Sequence, residues 1–154
     1  MLSLTLIMSL TAALTGNALL AETKARPPQS QDEQLRLPEG QVWLGTVRIP
    51  TRVLADGKAL ASGTYRVRLT GEHAEKNANG QLETLERWVE FVQRGEVKGR
   101  ALAPAIPASA IGQVADTKPP RPGLVRVERL REDKYYRVWF NHRGDQILIY
   151  LPMA

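Results

Sequence analysis

The stretch that decides the fold is Leu60-Ala61-Ser62-Gly63-Thr64-Tyr65-Arg66-Val67-Arg68-Leu69. Ser62-Gly63 reads as a turn, and from there the chain alternates. Tyr65, Val67 and Leu69 fall on one side, and Thr64, Arg66, Arg68 and Thr70 on the other. A period of two with one apolar and one polar face marks a strand of an antiparallel sheet that is buried on one side and wet on the other.

Working outward, further strands arrange themselves around this one. Val42 to Ile49 is rich in β-branched and aromatic residues and is closed by Pro50. Asp56-Gly57 is a turn signal, with a short strand at Val53-Leu54 before it. The polar run Gly71 to Gly80 reads as a long hairpin loop. Leu82 to Gln93 carries both a helical stripe (Leu82, Leu85, Val89, Val92) and a β-rich run (Trp88, Val89, Phe91, Val92). The tight-turn pair Arg94-Gly95 directly after it decides for a strand. Ala101 to Gly123 holds five prolines, among them Pro104, Pro107 and Pro119, and is expected to cross the outside of the fold with Ile106 and Ile111 tucked in. A closing meander follows: strands over Leu124–Leu130, Tyr135–Asn141 and Ile147–Leu151, with turns at 131–134 and at Arg143-Gly144-Asp145. About seven short strands with little helix predict an all-β fold. An antiparallel β-sandwich is the expected form and a small β-barrel the alternative.

Leu60, Gly63 and Tyr65 stand in a Leu-x-x-Gly-x-Tyr arrangement that resembles the tyrosine corner of immunoglobulin-like and fibronectin-type domains. The resemblance implies a phenol bonded back to the backbone near Leu60 or Ala61. Across the chain, this run together with Arg87-Trp88-Val89-Glu90-Phe91 and Tyr136-Arg137-Val138-Trp139-Phe140-Asn141 resembles uncharacterised secreted bacterial β-sandwich proteins. That resemblance implies a fold and no activity.

The N-terminus carries the address. Met1 to Ala21 has no charged side chain, Leu2, Leu4, Leu6, Ile7, Met8 and Leu10 form an apolar block, and small residues lead to Ala21. This predicts a signal peptide over 1–21, a flexible linker rich in Pro and Gln over 22–40, and the β domain over 41–154. The absence of Lys or Arg before the block, and Leu19 two residues before Ala21, depart from the usual pattern. An uncleaved anchor is the competing reading, which Ser3, Thr5, Ser9, Thr11, Thr15 and Asn17 weaken. The expected location is periplasmic or secreted, with membrane contact only if the leader is uncleaved.

Chemistry is sparser. The chain has no cysteine, which excludes disulfides, thiolate metal sites and cysteine nucleophiles. His73 and His142 lack a second ligand at metal-binding spacing, Ser62 and Ser109 lie outside any nucleophile elbow, and no phosphate loop or dinucleotide fingerprint occurs. Glu86 and Glu90 share a face, as solvated carboxylates commonly do. The expectation is therefore a protein without cofactor that acts by binding an unknown partner, such as an envelope protein, a glycan or a polyanion; a polyanion- or glycan-binding module using an Arg/aromatic face is the alternative, and a hydrolase the third reading. The formal net charge of +5 falls wholly after the leader. Arg66, Arg68, Arg126, Tyr135, Arg137 and Trp139 form the candidate binding face, because guanidinium beside aromatic rings suits polyanions, sugars and bases. The competing reading is that these arginines blunt sheet edges while Trp139 packs under a loop.

The leader reading is checked by intact mass. Protein from a periplasmic or culture fraction should begin at or near Glu22, whereas full-length chain in the membrane pellet would establish an anchor.

Overall fold

The computed structural model describes residues 37–74, 86–132 and 134–154. The leader, residues 22–36 of the linker, the far part of the 71–80 loop and residues 82–85 lie outside them. Among the described residues nine strands run in chain order: β1 (Val42–Ile49), β2 (Val53–Ala55), β3 (Lys58–Leu60), β4 (Gly63–His73), β5 (Glu86–Gln93), β6 (Glu96–Ile106), β7 (Val125–Leu130), β8 (Tyr135–His142) and β9 (Asp145–Pro152). A 3-10 helix at Ala108–Gln113 precedes β7. Seven strands form one antiparallel sheet in the order β1-β4-β5-β6-β9-β8-β7, and β2-β3 form a separate ribbon. The all-β antiparallel expectation thus takes the form of a single curled sheet. Its outermost strands, β1 and β7, touch without pairing.

Two-residue turns drive the hairpins. Asp56-Gly57, Arg94-Gly95 and Arg143-Gly144 each join directly paired residues, and all six turn residues have positive φ. This backbone twist matches that of the flanking strands, and a glycine in the second place takes it without strain. The alternation of the deciding stretch holds as well. Tyr65, Val67 and Leu69 are buried, joined by Val89 and Phe91 from β5, Tyr136, Val138 and Phe140 from β8, and Ile147, Ile149 and Leu151 from β9 in one cluster. The halves of the curled sheet therefore share one core.

β1 departs from simple alternation. Trp43 pairs with Arg68 and Gly45 with Val67, so Leu44 is an extra residue in the strand. This bulge turns Leu44 inward beside Val47 and Ile49 and leaves Trp43 outside.

β6 corrects the reading of the proline-rich segment. Residues 101–106 continue a strand in the middle of the sheet, between β5 and β9. Pro104 is tolerated because it sits where β6 changes partner: it faces Glu86 at the start of β5, and pairing with β9 begins one residue later at Ala105. Beyond Ile106 the segment does cross the outside. Ile111 and Ala115 pack on Trp139 and Leu148, with Ile106 alongside. The polar groups beneath this strap are satisfied: Trp139 Nε1 donates to Gln146 Oε1 at 2.8 Å, and Asn141 Nδ2 to the Pro120 carbonyl at 2.7 Å.

The hydrogen bond expected of the Tyr65 hydroxyl is present. Tyr65 Oη donates to the Ala61 carbonyl at 2.7 Å, and its ring meets Phe91 edge-on at 6.1 Å. Burial raises the phenol's pKa above its ordinary value, partly offset by the charge of Lys98. Tyr65→Phe should lower stability by about 0.5–1.5 kcal/mol, up to about 3 if the carbonyl is stranded, and Tyr65→Ala by about 3–5 kcal/mol. Exposed Arg66→Ala should stay within about 0.5 kcal/mol. Because the folded pKa is raised, the contribution is complete below the unfolded value near 10 and is lost as pH rises through the folded value. Urea titrations at neutral and alkaline pH should show this alkaline loss in the parent and a smaller one in Tyr65→Phe.

Candidate functional site

Pairing across β1, β4, β5 and β6 sets the residues of their outer face in rows. Arg48 stands opposite Thr64, and Thr46 opposite Arg66. The next row runs Trp43, Arg68, Glu90 and Arg100, and beyond it Trp88 faces Leu102. The Trp43 indole is 42% exposed, and the Arg66 guanidinium carbon lies 4.0 Å from its ring centroid, with that of Arg68 at 5.6 Å. Arg100 stacks similarly on Trp88 at 4.9 Å.

Charge along this face is uneven. Glu90 accepts from Arg68 Nε at 2.7 Å and lies 3.6 Å from Arg100 Nε, while Arg100 also pairs with Glu72. Glu90 is therefore engaged by two guanidinium groups. Arg48, Arg66 and Arg94 pair with no acid among the described residues.

These free cations surround a groove. A concavity of about 250 Å³ is lined by Trp43, Thr64, Arg66, Arg68, Gln93 and Arg94, among others. A second, of about 350 Å³, is lined by Arg48, Ser62 and Thr64 with their neighbours. The two share Thr64, so they follow one another along β4. No described carboxylate lines either. The result is a track of guanidinium, hydroxyl and amide donors with one indole at its end.

The predicted binding residues do not converge. Arg66 and Arg68 sit on this track, whereas Arg126, Tyr135, Arg137 and Trp139 belong to the outer face of β7 and β8. There the expectation of an exposed Arg/aromatic face is corrected. Trp139 is fully buried under the strap and Arg137 is 6% exposed. Arg137 Nη2 donates to Glu128 Oε2 at 2.5 Å and its guanidinium lies 5.1 Å from the Trp139 ring centroid. Burial lowers the Arg137 pKa, but hydrogen bonds with Glu128 and Tyr150 and their charges outweigh it, so the net shift is upward. Arg126 donates to the Lys118 carbonyl at 2.5 Å. These two arginines hold the strap to the sheet. Tyr135 remains half-exposed under Arg131. Leu60 and Tyr65 are buried, and Gly63 opens β4 in extended backbone.

Trp43 was missed by the sequence reading, because its parity matches buried Val47 and Ile49 and only the bulge turns it outward. Arg87 left a signal: it shares the parity of Val89 and Phe91 and so is a charge on the buried side of a strand. It is 3% exposed. Its guanidinium donates to the carbonyls of Thr70 in β4, Pro38 (2.5 Å) and Gly40 (2.7 Å). Burial lowers its pKa. The last residues of the expected linker are thus tied to the sheet, passing so close that a Cβ on Gly71 would stand 2.9 Å from the Glu39 carbonyl oxygen.

The histidines lie on strands that are not neighbours, His73 at the end of β4 and His142 at the end of β8. Burial and adjacent Arg143 lower the His142 pKa, against Asp145. Among the described residues no group of three His, Asp or Glu could hold a metal ion.

Compared with family models, curated proteins and solved structures, the chain matches none.

Arg87→Ala should lower stability by about 1–3 kcal/mol for each buried carbonyl left without a donor. Arg87→Lys should recover only part, since one ammonium cannot reproduce the planar fork that spans Thr70 and Gly40. Denaturant midpoints for the two variants check this.

Proposed function

We propose that this chain is an exported binding protein that holds a stretch of acidic polysaccharide along the groove on the outer face of β1, β4 and β5. The observation that carries this reading is the lining: Arg66 and Arg94, neither paired with an acid among the described residues, converge with Thr64 and Gln93 beside the Arg68–Glu90 pair. Continuity with the Arg48 concavity makes the site elongated, which suits a polymer better than a compact anion. Arg66 and Arg94 at one concavity and Arg48 at the next can each meet an acidic group of an extended chain, while Arg68 stays on Glu90.

Charge rather than ring stacking carries the recognition. The Trp43 face that a neutral sugar would use is already taken by Arg66. The leader-like segment at Met1–Ala21 favours a site of action in the periplasm or outside the cell.

Immobilised heparin is the probe. Retention should fall steeply with salt, because released counterions drive such association. The double reversal Arg66→Glu with Arg94→Glu should elute at markedly lower salt, while Arg121→Glu with Arg143→Glu, equal in charge but away from the groove, should have a small effect. Equal losses from both pairs would reduce the interaction to diffuse charge and sink the proposal. Duplex DNA held as tightly as heparin and lost with the same groove variants would replace the glycan by nucleic acid.

A further inference from the structure

A third concavity, of about 280 Å³, lies on the outer face of β7, β8 and β9 and is lined by Leu130, Arg131, Tyr135 and Tyr150. It is separate from the groove and does not rest on the polyanion reading. Tyr150 pairs with Arg137, and Tyr135 with Pro152, so the two phenols are diagonal neighbours on one face.

Tyr150 is the anomaly of its strand. Asp145 to Ile149 and Leu151 are all buried, yet Tyr150 is 39% exposed. It shares its face with Leu148, which the strap covers together with Trp139, and the strap leaves Tyr150 open. Opposite it, Arg137 is buried and bonded to Glu128. Arg131, held at φ 51° in the β7–β8 turn, lies 5.6 Å from the Tyr135 ring centroid. It has no acidic partner among the described residues, and no described carboxylate lines the concavity.

We infer that this concavity is a sugar subsite for a single pyranose ring bearing a carboxylate, with the ring against Tyr150 and the acid on Arg131. A pyranose presents an apolar C–H face and a hydroxyl rim, which a phenol matches with its ring and its polar tip. A guanidinium pairs with a carboxylate in a planar, two-point fashion that an ammonium does not offer. The volume falls below the roughly 300–1,000 Å³ of sites that take drug-sized ligands, which limits the occupant to one ring.

The test uses sodium glucuronate and the full chain carrying Arg48→Glu, Arg66→Glu and Arg94→Glu, so that the groove's unpaired cations are removed. Saturation-transfer NMR should show transfer to the glucuronate ring protons. Glucose should bind about tenfold more weakly, the loss of a charge-assisted contact. Tyr150→Ala should abolish transfer and Tyr150→Phe should retain it, with the amide spectrum of each confirming the fold. Arg131→Gln should reduce glucuronate binding to the level of glucose. No transfer from the parent, equal transfer in Tyr150→Ala, or displacement of glucuronate by equimolar benzoate would each overturn the inference, the last by making this an aromatic-acid site. Heparin retention read in parallel on the groove-intact chain keeps failure here separate from failure of the groove.

Discussion

Strand β6 pairs with β5 from Glu96 to Pro104 and then with β9 at Ala105 and Ile106, and this change of partner joins all seven strands into one sheet. The halves on either side of it curl over a common core. Phe91 and Val67 from one half and Phe140 and Ile149 from the other belong to the same buried cluster. With no disulfide in the chain, burial of this apolar face is the principal source of stability. The ribbon β2–β3 closes one side, with Val53 bridging to Met153.

That curl leaves two outer faces with different fates. The face of β1, β4, β5 and β6 stays open to solvent and carries Trp43, Arg66 and Arg68. The face of β7, β8 and β9 is mostly roofed by the strap that follows β6, so the same residue types, Arg137 and Trp139, become internal struts. An arginine stacked on a tryptophan thus occurs on both faces. It is 4.0 Å from the ring and exposed at Arg66, and 5.1 Å from the ring and buried at Arg137. Coverage by a remote segment makes the difference. Where the guanidinium is wet its charge is available to a partner. Where it is buried the charge is met by Glu128, and the pair fixes position.

Arg87 shows a third solution to a buried charge. Its donors go to backbone carbonyls instead of a carboxylate, and those carbonyls belong to the segment entering β1 and to the irregular part of β4. Neither stretch has regular ladder partners there, so the arginine supplies the donors that the sheet does not.

The sequence by itself determined the period-two patterns and the turns. Alternation at Tyr65, Val67 and Leu69, the Asp56-Gly57, Arg94-Gly95 and Arg143-Gly144 pairs, and the Tyr65 hydroxyl bond all depend on residues within a few positions of one another. Local sterics and local burial decide them. Tertiary structure alone decided that a bulge at Leu44 turns Trp43 outward, that the strap buries Trp139, that Pro104 sits within a strand, and that Arg94 joins Arg66 across a hairpin. Each of these depends on which distant segment lies against a face or edge. Residue spacing along the chain does not encode that, because alternation shows which face of a strand is apolar but not what covers the other.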